Sequence, residues 1–308
     1  MNGLQKAIAK AHRNDRAAKI FMTACGICVT LVPILIGLFL FYRGTDTFTL
    51  FSHSLTEFLF SGVWNPSDTA EGGGKVGAAM FITGSLAVCL LSLLLTLPFS
   101  MAAALFMTEI ATPQVRRLLQ PAIELFTGIP SVVYGFVGLT VLIPFLKSIF
   151  PMPFSFSLLA AGIVLAIMIF PTITTMSADA LASVPQSWRE ASYGLGATRW
   201  ETIVHVVIPA AKGGIATGII LGLARAMGEA LAVAMVIGQM KVFPTSFFLP
   251  ASTLTTAISA DMGGAMEGGE YNAGLWTMAL LLFLLSFAFI FLIHYIHDLA
   301  TRKGEKKA

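Results

Sequence analysis

Gly213 to Gly238 reads GGIATGIILGLARAMGEALAVAMVIG, an apolar segment that carries only two charges, Arg225 and Glu229. About 20 helical residues cross a hydrocarbon core of roughly 30 Å, so this stretch predicts a membrane helix. Read as one continuous helix, it places the two charges one turn apart on a shared face, where they can pair, although Arg before Glu is the weaker order. A charge at mid-membrane costs about 2.5–3.5 kcal/mol, so it is kept where a partner, a cavity or a function compensates. Two readings follow, a polar path and a structural clamp. Gly214, Gly218, Gly222, Ala226, Ala230, Ala234 and Gly238 recur at every fourth position. Such a ridge lets backbones approach closely. The expectation is a helix at the centre of its bundle.

The rest of the chain extends this reading. Of 308 residues, 56% are hydrophobic and 11% charged, against roughly one quarter charged in a soluble domain. Apolar runs near 17–42, 76–107, 121–146, 154–176, 213–240 and 273–295 predict six membrane helices, numbered one to six below. Fourteen of the 19 Lys and Arg fall in the amino-terminal tail, the second and fourth connections and the carboxy-terminal tail. By the positive-inside rule both termini are cytoplasmic. The net charge of +3 reflects this sidedness and gives no reason to expect nucleic acid as a partner. The first run is too long for a signal-peptide core and is expected to stay as helix one, peripheral to the others. The division is 1–75 (basic lead lying on anionic lipid, helix one and external loop), 76–298 (membrane domain) and 299–308 (basic tail).

Several motifs carry no chemistry. Gly72-Gly73-Gly74-Lys75 suggests a phosphate loop, but Thr69 and Val76 occupy positions that need Gly and Ser or Thr. Any nucleotide-driven work therefore falls to another subunit. Cys25 and Cys28 have redox spacing inside an apolar run, where a thiol packs as a small hydrophobe, as does Cys89. His294 and His297 lack further ligands, so no metal is expected. No catalytic constellation is present.

Three other stretches point to function. In helix three, Gly128-Ile129-Pro130-Ser131-Val132-Val133-Tyr134-Gly135 interrupts the hydrogen-bond ladder and offers Ser131 and Tyr134 at depth. Broken helices of this kind border cavities. The connection between helices four and five predicts two short helices broken at Gly194 to Gly196, with Trp200, Ile203, Val204 and Val207 forming an apolar face that seeks a partner. The external connection from Lys241 to Tyr271 predicts a short helix over 252–260 facing the outer surface.

Glu190, Ala191, Gly196, Ala197, Ile208 and Pro209 lie in a stretch that resembles the EAA loop of type I ABC-importer permeases, with Ser192 in place of the second Ala. The segment from Gly128 to Gly135, Leu221 to Val233 and Pro250 to Thr255 resemble the PstC-type permease subunits of phosphate importers. The resemblance covers roughly residues 60–298 and implies an all-α membrane protein of the MetI-like superfamily, with a permease core of helices two to six preceded by one extra helix. It implies a prokaryotic cytoplasmic membrane, a homologous PstA-type permease subunit, a PstB-type ATPase dimer that binds ATP and Mg, and a PstS-type extracytoplasmic phosphate-binding protein. This chain would bind no cofactor. Glu190, Ala191, Gly196, Ala197 and Pro209 would couple to the ATPase, and Arg225, Glu229, Ser131 and Tyr134 would line the substrate path. A proton-coupled anion carrier or channel, using Arg225 and Glu229 as a relay, is the alternative.

Overall fold

The computed structural model describes residues 2–69 and 71–305, with side chains for 14–69, 71–291 and 295. Expectations for the side chains of the first 13 residues, for His294 and His297 and for the basic tail lie outside the described side chains. Among the described residues six helices are long and apolar enough to cross a membrane: Asn14–Thr49, Ala79–Ile110, Ser131–Ile149, Leu158–Ala182, Arg199–Gly228 and Glu270–Phe291. They match helices one to six in order. Helix three begins lower, in Pro113–Gly128, and resumes as Ser131–Val137 after a break.

Helix four, rather than helix five, is the centre of the bundle. The most apolar window of helix four is 67% buried, against 39% for helix five, and helix four packs along both helix two and helix five. Hydroxyls from helix two reach its backbone: Thr96 Oγ1 donates to the Ala166 carbonyl at 2.9 Å and Ser100 Oγ to that of Phe170 at 3.3 Å. In lipid, where apolar burial does not drive helices together, such bonds and close backbone packing hold them. The small ridge of helix five supplies the packing. A β-carbon on Gly218 would lie 2.9 Å from Met176 Cβ, and one on Gly222 2.6 Å from Ile173 Cγ1.

Helix one packs chiefly on helix six, through Gly37 against Phe283 and Phe39 edge-on to Trp276 at 5.3 Å. Its most apolar window is 0% buried. At the end remote from the 186–209 connection, a two-stranded ribbon pairs Trp64–Asn65 with Lys75–Val76 antiparallel. It covers a cluster around Phe58, Val76, Phe81, Leu254 and Leu275.

The segment after helix five departs from expectation. Residues 250–257 do not lie on an outer surface but enter the bundle, with Ala251, Leu254 and Thr256 at 0% exposure. Their backbone polarity is satisfied on the way in. Thr253 and Thr256 form a reciprocal capping box at the start of Leu254–Asp261, and Ser85 Oγ of helix two accepts the Leu254 N–H at 2.9 Å.

Candidate translocation path and coupling surface

Helix five is broken where the sequence suggested continuity. Ile208–Gly228 ends, Glu229 is extended (φ −76°, ψ 122°), and a second segment runs Leu231–Ile237. The Glu229 side chain accepts the Ala232 N–H at 2.9 Å, satisfying a donor at the start of the new segment, and the Glu229 carbonyl accepts from Thr255 Oγ1 at 2.9 Å. The expected Arg225–Glu229 pair is therefore not formed: the chain leaves the helix between them and turns the carboxylate to its own backbone. Arg225 Nη1 instead donates to Thr172 Oγ1 of helix four at 3.2 Å. The structural clamp required that pair. The ridge of small residues is likewise divided, since Ala230, Ala234 and Gly238 lie beyond the break.

Arg225 remains half-buried in the last turn of its helix segment, where the carbonyl-rich end favours a cation. It lies within electrostatic range of Tyr134 on helix three. The break there has a local cause. Pro130 has no N–H to offer the Phe126 carbonyl four residues earlier, and Tyr134 Oη donates to that carbonyl at 2.6 Å. Tyr134 is thus a buried brace, and Ser131 is half-buried at the first position of Ser131–Val137. The segments beyond the two breaks pack on each other. A β-carbon on Gly135 would lie 2.7 Å from Met235 Sδ and 3.0 Å from Ala232 Cα. Helices three, four and five thus bring Tyr134, Thr172 and Arg225 to one region, with Glu229 at its edge.

The 186–209 connection forms the helices Gln186–Gly194 and Arg199–Thr202, joined through Gly196 at φ +89°. A left-handed residue there favours glycine. Thr198 and Glu201 form a capping box that starts the second helix. Glu190, Ala191, Gly196 and Pro209 are exposed and Ala197 is half-buried. The apolar face is not the one the spacing predicted. Ile203 and Val207 are buried, Val207 with Ala178, Leu181 and Ala211 of helices four and five, because a wide turn over Ile203–Val207 rotates them inward. Of the predicted face Trp200 stays exposed (66%), and it is joined by Trp188 (53%) and Leu195 (90%).

Two buried contacts, an ion pair and a histidine–carboxylate contact, were not legible locally. Arg189 Nη2 meets Glu109 Oε1 at 2.7 Å, while the same guanidinium donates to the carbonyls of Val184 and Leu181. At the opposite end, Glu270 is fully buried beside His53 Nε2 at 2.6 Å and accepts the N–H groups of Ser67, Gly73 and Gly74 at 2.6, 3.2 and 2.8 Å. The glycine loop that failed as a nucleotide motif does cradle an anion, and the anion is the chain's own carboxylate.

Comparison with known proteins agrees with this architecture. Residues 98–303 match the family described as binding-protein-dependent transport system inner membrane component. A probable ABC transporter permease protein YqgH from Bacillus subtilis is 50% identical over 90% of this chain and 89% of its own length. A phosphate transport system permease protein PstC from Mesorhizobium japonicum is 34% identical over 90% and 89%. Among solved structures, a bacterial alginate ABC transporter chain superposes with a TM-score of 0.61 at 17% identity, covering 91% of this chain and 92% of that one. An inward-facing MetNI methionine transporter chain gives 0.54 at 24% identity, covering 71% and 92%. These likenesses establish a shared fold.

Proposed function

The chain belongs to the binding-protein-dependent transport system inner membrane component family, and we propose that it is the permease subunit of an ATP-driven importer of inorganic phosphate. It is a multi-pass membrane protein of the ABC importer class, whose partners are an ATPase and a binding protein. The observation that carries the choice of phosphate is Arg225. It is a guanidinium at a helix break inside the membrane, without a carboxylate within ion-pair distance among the described residues. A planar donor fork suits a tetrahedral oxyanion, and the absence of a tight counter-ion leaves its charge available. Similarity to PstC-type permeases supports the same substrate.

In this reading the chain forms half of the path with a PstA-type subunit in a cytoplasmic membrane, both termini inside. A PstB-type dimer binds ATP and Mg, a PstS-type protein delivers phosphate, and the chain itself binds no cofactor. The helices at 186–202 dock on the ATPase through Trp188, Leu195 and Trp200. Closure of the ATPase on ATP then moves helix five, which continues directly from this connection, and shifts the break at Gly228–Glu229 between the two faces. Release into the cell requires that phosphate not be trapped.

The test is phosphate uptake by proteoliposomes holding the full complex, with and without ATP on the ATPase side. Arg225→Gln is expected to reduce ATP-dependent uptake at least tenfold at unchanged complex yield. Uptake equally fast without ATP would remove the importer reading, and normal uptake by the variant would remove Arg225 from the path.

A further inference from the structure

A polar cavity lies away from the helix breaks, at the base of the 186–209 connection. It is open, about 770 Å³ in volume, and lies between the start of Pro113–Gly128, the end of helix two and the helix Gln186–Gly194. Three guanidiniums line it, from Arg116, Arg189 and Arg199, against the single carboxylate of Glu109. That carboxylate is already committed to Arg189 at 2.7 Å. Among the described residues neither Arg116 nor Arg199 has an ion-pair partner, so the lining carries two unmatched positive charges. Gln186 also opens a nine-residue helix at the cavity wall, with no side-chain cap and no acidic residue in its first turn.

We propose that this cavity is a binding site for a phosphate group, either inorganic phosphate or the headgroup of an anionic lipid. Like charges facing one space repel unless an anion stands between them, and arginine forks match phosphate oxygens two at a time. Arg189, held by Glu109 and two carbonyls, is a rigid wall of the site, while Arg116 and Arg199 supply the net charge. The uncapped helix start adds N–H groups and a favourable dipole on the same side. Occupancy would tie Arg116, at the start of helix three, to Arg199, at the foot of helix five, and so link the coupling connection to the broken helix.

The inference does not depend on phosphate being the transported ion. It is tested on the full chain in nonionic detergent, in an Arg225→Gln background that removes the proposed path contact. Radiolabelled inorganic phosphate is titrated in one arm. In the other, delipidated protein is exchanged with phosphatidylglycerol and retained lipid is counted by native mass spectrometry. We expect one saturable site in at least one arm, weakened at least tenfold by Arg116→Gln with Arg199→Gln and left unchanged by Arg117→Gln. Phosphate binding without lipid retention identifies the free ion, and the reverse identifies the headgroup. If the double variant does not fold, Arg199→Gln alone, at an exposed position, decides with an expected weakening of at least threefold. Binding in neither arm, or binding indifferent to both arginines, overturns the proposal. So does loss of ATPase assembly in the double variant with no anion bound by the wild type, which would make the cavity a protein contact.

Discussion

Tyr134 illustrates how a residue expected to line a path can serve the scaffold. Its hydroxyl satisfies a carbonyl that Pro130 leaves without a donor, and a carbonyl left unsatisfied away from water costs about 1–3 kcal/mol. Tyr134→Phe is therefore expected to lower the unfolding midpoint of the purified complex while ATP-driven uptake persists at permissive temperature; loss of uptake at unchanged midpoint would place the hydroxyl in the path instead. Glu270 makes the stronger case. It accepts from His53 and three backbone N–H groups at 0% exposure, so Glu270→Gln, which puts amide hydrogens or a weaker acceptor where a carboxylate sat, is expected to cost about 2 kcal/mol. A thermal midpoint equal to wild type would contradict this. Sequence alone flagged Arg225 and Glu229 because charge is rare in apolar runs. It paired them wrongly because helical spacing was carried past Gly228, where the helix ends and Glu229 turns extended.

Between elements, contact is governed by absent side chains. Gly222→Val would place a branched side chain where the first carbon already falls 2.6 Å from Ile173, forcing helices four and five apart. We expect assembled complex to fall severalfold in yield, whereas Gly228→Ala, with nothing within 4 Å of the added carbon, should assemble; normal assembly of Gly222→Val would show that the helices can slide to accommodate it. The four-residue period of small residues made this contact legible before any coordinates. The entry of residues 250–257 into the bundle was not legible, since its polar composition reads as loop until Ser85 and the Thr253 cap are seen to satisfy its backbone. Outside the spans, Lys241 meets Asp261 at 2.8 Å. Burial pushes its ammonium down, but bonds to Asp261 and Tyr271 outweigh this and hold it above the usual lysine value. With the folded value raised, this contribution is full below the ordinary lysine range and fades only as strong alkali takes the proton, so neutral pH does not disturb the Lys241–Asp261 pair.

At the level of the whole molecule, six spans and the broken third helix follow from runs of apolar residues and from Gly and Pro, while helix four's central place does not, because centrality is a property of neighbours. The coupling connection gives a prediction at this scale. Glu190 and Gly196 are exposed, and Gly196 holds φ +89°, so Glu190→Lys and Gly196→Val should leave the subunit inserted yet abolish substrate-stimulated ATP hydrolysis by the complex; wild-type stimulation in both would refute docking through this connection. Helix one has a different relation to the assembly, for it packs chiefly on helix six. The first of the six described spans thus finds its partner in the sixth. At about 5–20 residues per second, the roughly 225 residues between them take on the order of 10–45 s to synthesise. Through that interval helix one lacks its chief packing partner, and its most apolar window, 0% buried even in the finished chain, suits a segment that must be stable in lipid before its place in the bundle exists.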